Sequence, residues 1–268
     1  MLKDITLGQY FPGNSFIHRL DPRTKLMCTI VYIAALFVAK SYVTYGILLL
    51  MLCLSVAVSR IKPSALLKGL KPLALIIVFT AILNLFYIKG GKELVSFWVL
   101  SITTEGIKTA LFMVFRIMML ITGTFLLTYT TTPMALTDGL EIILNPLKKI
   151  HVPVHEFAMM MSIALRFIPT LIEEADKITN AQKARGADFE TGKLTERAKA
   201  LLPLLVPLFV SAFRRADELA IAMESRCYHG GEGRTRMKKL SMKASDFITI
   251  FASLVFLTGI IVLVQFGF

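Results

Sequence analysis

The sequence predicts an all-α integral membrane protein with about five transmembrane helices and a cytoplasmic arm of long amphipathic helices. Three observations carry this. The 268-residue chain is 55% hydrophobic and only 18% charged, with a mean hydropathy of +0.67, too apolar for a water-soluble domain of that length. Its apolar residues gather into five runs near the length of a bilayer crossing, over 26–39, 42–58, 72–88, 107–129 and 247–266. Its Lys and Arg residues fall almost entirely between those runs, and the formal charge is +12. A basic chain can point to nucleic acid, but charge placed in membrane loops explains this one better, and no nucleic-acid partner is expected.

Residues 1–25 are mixed polar and aromatic, with no apolar core of a signal peptide ahead of the first run, so no cleavable signal is expected. Pro12-Gly13 marks a turn and Asp21-Pro22 a helix start. The run 26–39 is short for a span and is extended by its flanks, and Lys40-Ser41 connects it tightly to 42–58. Arg60, Lys62, Lys68 and Lys71 form a basic loop before 72–88. A polar loop over 89–106 holds Lys89, Gly90-Gly91, Lys92, Glu93 and Trp98. The run 107–129 carries Arg116. Charge sets the orientation. With the N-terminus inside, the inside segments hold 25 of the 30 Lys and Arg residues, which places the C-terminus outside.

Three segments follow: 1–131 with four spans, 132–243 as the arm, and 244–268 with the last span. Within the arm, Thr132-Pro133 is an N-cap and N1 pair opening a short amphipathic helix through Leu147. Phe157, Met160, Met161, Ala164, Ile168, Leu171, Ile172, Ala175 and Ile178 recur at helical spacing over 154–185, with Glu156, Arg166, Glu173 and Asp176 between them. Residues 200–213 are apolar all round. Six basic residues between 177 and 199 would fall outside if 156–172 and 200–213 formed an extra hairpin, so the stretch reads as a kinked helix packed in protein, bent at Pro203 and Pro207.

A repeat runs through this arm. Ala175-Asp176, Ala181 and Arg185 recur 41 residues on as Ala216-Asp217, Ala222 and Arg226. Each arginine sits between small residues, in Ala184-Arg185-Gly186 and Ser225-Arg226-Cys227. Two readings stand side by side. An arginine at a helix C-terminus interacts favourably with the helix dipole. A guanidinium fork between small neighbours can also meet a partner's carboxylates or carbonyls at close range.

Several chemistries lack their residues. Gly186 and Gly192-Lys193-Leu194 fall short of a phosphate loop, in spacing and in Leu194 where a hydroxyl is needed. His151, His155, Glu156, Cys227 and His229 do not share the geometry of a zinc site, because Pro153 interrupts the helix between the histidines. Cys28, Cys53 and Cys227 form no CxxC pair. Asp138, Glu141 and His155 are the candidates for an interfacial lipid-modifying enzyme, without its motif spacing. Arg116 is almost the only intramembrane charge, which argues against a proton-coupled carrier, and it reads as facing other helices or a headgroup.

The paired arginine triplets, together with Gly8-x-Tyr10-x-Pro12-Gly13-x-Ser15-x-x-His18-x-Leu20-Asp21-Pro22-Arg23-x-Lys25, resemble the transmembrane T component of energy-coupling factor transporters, of the type shared among several S components. The resemblance covers the whole chain. The second triplet departs from the family's Ala-Arg-Gly. The resemblance implies a non-catalytic scaffold in a bacterial cell membrane, with the arm's long helices acting as coupling helices. They dock on two ABC ATPases, A and A′, through Ala184, Arg185, Gly186, Ser225, Arg226 and Cys227. The chain holds no cofactor, because ATP and magnesium bind the ATPases, and a membrane-embedded S component brings the vitamin or similar micronutrient. An ordinary ABC importer permease is the nearest alternative, since Glu174-Ala175-Asp176 is similar to its EAA loop, although the following Gly comes too late.

Overall fold

The computed structural model describes residues 10–88, 90, 93–97, 100–187, 189, 194–231 and 240–267. Gly8, Lys89, Gly91, Lys92, Trp98, Gly192 and Lys193, singled out above, lie outside them. The chain is helical: α1 Phe16–Arg19, α2 Pro22–Val38, α3 Tyr42–Ser59, α4 Pro63–Leu70, α5 Ala74–Tyr87, α6 Thr104–Thr130, α7 Pro133–Leu144, α8 Val154–Ala184, α9 Leu194–Glu224 and α10 Ala244–Gln265. Tight 3-10 turns cover Lys71–Leu73 and Asn145–Ile150.

Three expectations change. The basic loop folds as α4, because Pro63 at its first position and Leu66, Leu67 and Leu70 on one face give it a helix start and an apolar stripe. The polar loop contains an antiparallel hairpin of β1 Glu93–Phe97 and β2 Leu100–Thr103, with Val95 opposite Ile102 and Phe97 opposite Leu100. Its period-2 alternation of β-branched and aromatic residues was the overlooked signal. Residues 200–213 belong to the uninterrupted α9, and Leu202, Val206, Phe209, Val210 and Phe213 are exposed, so this chain's described residues do not provide the expected protein cover.

Among the described residues, five helical segments are long and apolar enough to cross a membrane: Tyr42–Ser59, Pro63–Tyr87, Thr104–Thr130, Val154–Ala184 and Ala244–Gln265. Four coincide with expected spans. The fifth is α8, read in the sequence as an arm helix because its second half is charged. The first expected span is α2, whose 17 residues reach about 25 Å, at the lower end of what a bilayer requires.

The chain divides into two compact units, Gly8–Gly139 with Leu240–Phe268, and Leu140–Lys239. The core of the first lies between α2, α3, α6 and α10. Ala35, Leu36, Ala39, Leu48, Met119 and Ile260 are buried there, the alanines letting α2 approach its neighbours closely. One end of this bundle is tied by the Leu20-Asp21-Pro22-Arg23-x-Lys25 run. Asp21 accepts from the Arg23 backbone N–H at 2.9 Å and so caps α2. The Asp21 backbone N–H donates to Asp246 Oδ1 at 2.8 Å, and Asp246 Oδ2 accepts from the Lys243 N–H at 2.8 Å. Lys25 Nζ donates to the Thr130 carbonyl at 2.8 Å, and Arg23 donates to the Leu240 carbonyl at 2.8 Å. These contacts join the starts of α2 and α10 to the end of α6.

Arg116 turns inward. Its Nε donates to Tyr45 Oη at 2.6 Å and its Nη2 to the Ala39 carbonyl at 3.3 Å, while its guanidinium lies 5.8 Å from the ring centres of Phe37 and Tyr45. Arg116 thus closes the α2–α3 connection and meets other helices, not a headgroup.

Candidate functional site at two helix ends

The site is built on α8 and α9, the two halves of the second unit. Each is 31 residues long; α8 ends one residue before its repeat arginine and α9 two residues before its own. Pro169 in α8, and Pro203 and Pro207 in α9, sit inside the helices without ending them. Termination comes at the triplets and follows one hydrogen-bond plan. At the end of α8, the Arg185 and Ala187 N–H groups both donate to the Gln182 carbonyl, at 3.1 and 3.0 Å, and Gly186 N–H donates to Lys183 O at 3.0 Å. At the end of α9, the Arg226 and Tyr228 N–H groups both donate to the Met223 carbonyl, at 3.1 Å each, and Cys227 N–H donates to Glu224 O at 2.8 Å. Each donor and acceptor is shifted by 41 residues, so the sequence repeat is a repeat of geometry.

The plan requires a left-handed residue after each arginine. Gly186 takes it at φ +87°, and Cys227 takes it at φ +57°. A side chain in that region is disfavoured by roughly 1–2 kcal/mol, so Cys227 carries strain that Gly186 avoids. The second triplet's departure from Ala-Arg-Gly therefore leaves its backbone conformation unchanged.

Both readings of the arginines, the helix-dipole contact and the partner contact, are compatible with this geometry. Backbone N–H groups reach the Ala181, Gln182 and Lys183 carbonyls of α8 and the Ile221, Met223 and Glu224 carbonyls of α9. Ala184, Arg185 and Gly186 are exposed, as are Ser225, Arg226 and Cys227. The triplets therefore present two exposed forks on tightly closed helix ends.

Glu174 and Arg215 hold α8 and α9 together ahead of these ends. Their side chains form an ion pair, and Ser211 Oγ donates to Glu174 Oε1 at 2.7 Å. The Ser211 hydroxyl and the Arg215 guanidinium hold the Glu174 carboxyl below the usual carboxylate range. Arg185 and Arg226 each lie 11 residues beyond their member of this pair, about 16 Å along the helix.

Two of the three candidates for lipid chemistry do come together: His155 Nδ1 lies 2.9 Å from Glu141 Oε1. Gly231 fits against the face of that imidazole, where a Cβ would stand 2.4 Å from His155 Cδ2. The pair joins the start of α8 to the end of α7, as a structural contact would. Sequence reasoning missed Asp246, Glu174 and Arg215 as organising residues. The signal for the last two was available, since the 41-residue period relates them directly.

The family described as cobalt transport protein, CbiQ, matches residues 13–237. The chain is 54% identical to the energy-coupling factor transporter transmembrane protein EcfT of Ruminiclostridium cellulolyticum, over 98% of each chain. It is 53% identical to the protein of that name from Clostridium kluyveri, over 95% of each. Against that of Bacillus subtilis the identity is 48%, over 97% of this chain and 98% of the relative.

Proposed function

The chain belongs to the CbiQ family of transporter membrane proteins, and from that premise we propose that it couples two cytoplasmic ABC ATPases to a substrate-binding S component. It is the transmembrane component of an energy-coupling factor transporter. In this reading Arg185 docks into one ATPase and Arg226 into the other. ATP and magnesium bind those partners, and this chain hydrolyses nothing itself. Movement of the ATPases passes along α8 and α9 to the S component, which delivers a vitamin or other micronutrient. The protein sits in a bacterial plasma membrane with its N-terminus and the α8–α9 unit in the cytoplasm and its C-terminus outside.

The observation that supports this reading is the pair of matching helix terminations, with three backbone hydrogen bonds repeated 41 residues apart and an exposed arginine at each. Two equivalent forks suit two similar grooves. An ordinary permease docks a single such element per subunit, so the duplication favours the energy-coupling factor reading.

The test uses Arg185→Ala, Arg226→Ala and the double variant in the assembled transporter. If each contact is buried, each loss costs roughly 2–5 kcal/mol of docking, and lysine restores only part of it. Assembly falls or hydrolysis uncouples from uptake, most severely in the double variant, while substrate binding by the S component is unchanged. Normal assembly, uptake and coupling in the double variant would refute the docking role.

A further inference from the structure

The end of α9 carries a feature that the repeat does not predict. A groove of about 650 Å³ opens beside Arg226, walled by Met159 and Arg166 of α8, Leu219 and Met223 of α9, and Tyr228 beyond the triplet. Arg166 and Arg226 are 60 positions apart in the chain, yet both line it. Both are exposed. Neither guanidinium has a hydrogen-bond or ion-pair partner among the described residues. Glu224, the acidic residue nearest in sequence to the triplet, is exposed and is not part of the groove wall.

We propose that this groove is a receptor for an acidic segment of one of the two ATPases, with Arg166 as its second anchoring fork. The inference rests on the docking reading above and adds a residue and a selectivity to it. Two uncompensated guanidinium groups in one concave surface with apolar walls focus a positive potential. An anion relieves their mutual repulsion, and planar forks match carboxylates bidentately. The methionine and leucine walls supply adaptable apolar contact for the side chains around those carboxylates, which suits a protein segment. The repeat carries no arginine at the equivalent position of α9: 41 residues on from Arg166 stands Pro207. The two ends therefore select different partners, and the ATPase seated on α9 carries at least two carboxylates where it meets the groove.

The experiment compares Arg166→Gln with the unaltered full chain, each co-expressed with the ATPase pair and the S component and purified in detergent. ATPase affinity is expected to fall tenfold or more, with a shallower salt dependence. Arg214→Gln, an exposed arginine that does not line the groove, should leave both unchanged. A photo-crosslinking residue at Met159, with Arg166 intact, should mark an acidic segment of one ATPase and spare the other. Unchanged affinity in Arg166→Gln overturns the proposal, as does equal crosslinking to both ATPases or crosslinking to lipid. If Arg185→Ala and Arg226→Ala weaken docking while Arg166→Gln does not, the docking reading survives and the groove proposal falls. If none of the three weakens it, both fall.

Discussion

Glu174 and Arg215 occupy the same position in the two copies of the repeat, 41 residues apart, and their side chains form an ion pair. The duplicated segments therefore touch at equivalent points, and each runs a further 11 residues to its arginine. The contact ties the two helices at that point.

Glu174→Gln is accordingly expected to lower uptake per ATP hydrolysed while leaving the amount of assembled transporter unchanged. Arg215→Gln should behave alike, and the double variant should be no worse than either single one, as for two groups acting through one contact. Substrate uptake and phosphate release measured in the same vesicles check this. Additive losses in the double variant would separate the two residues. The pH sign follows from the lowered carboxyl. A group depressed on folding contributes above its ordinary value, here 4.5, and the contribution is lost as pH falls through the lowered one. The contact is fully present at neutral pH and fades only in acid.

Cys227→Gly should stabilise the end of α9 by about 1 kcal/mol, because glycine occupies the left-handed region without a side-chain penalty. Cys227→Val should destabilise it by a similar amount or more. Thermal unfolding of the purified chain in detergent reads both, and a lower midpoint for the glycine variant would contradict the strain assigned to Cys227.

Asp246 is buried and accepts two backbone N–H groups, from Asp21 and Lys243. Asp246→Ala leaves both donors unpaired and is expected to cost about 3 kcal/mol. Asp246→Asn keeps one acceptor and should lose about half as much. The loss should appear as reduced thermal stability of the bundle. Unchanged melting of the alanine variant would show that the α2–α10 junction does not depend on this carboxylate.

The α8–α9 unit is expected to face the cytoplasm. A single cysteine at Lys183, with Cys28, Cys53 and Cys227 replaced, should react with a membrane-impermeant maleimide only after permeabilisation. Strong labelling of intact cells would reverse the orientation.

The helices were legible because long apolar runs and 3.6-residue spacing are local signals. Pro22 and Pro133 marked true starts, and α8 begins and ends within a residue of its expected limits. The two arginine triplets were legible because a repeat shows itself along one dimension. What escaped was pairing across the chain. Asp246 is an unremarkable acid until its partner 225 positions earlier is known, and Arg166 read as one of several charges on an amphipathic helix. The hairpin was missed because its strands of five and four residues are brief and the surrounding loop is polar.

Both helix ends belong to one polypeptide, so a mutation at either is inherited without its counterpart. In a homodimer each change appears twice, and the two ends stay alike. Here they have drifted: glycine against cysteine at 186 and 227, lysine against glutamate at 183 and 224, arginine against proline at 166 and 207. The backbone plan at the ends has stayed the same while the chemistry around it has diverged. A pair of partners meeting this surface is free to become unequal as well, one member specialising without loss to the other.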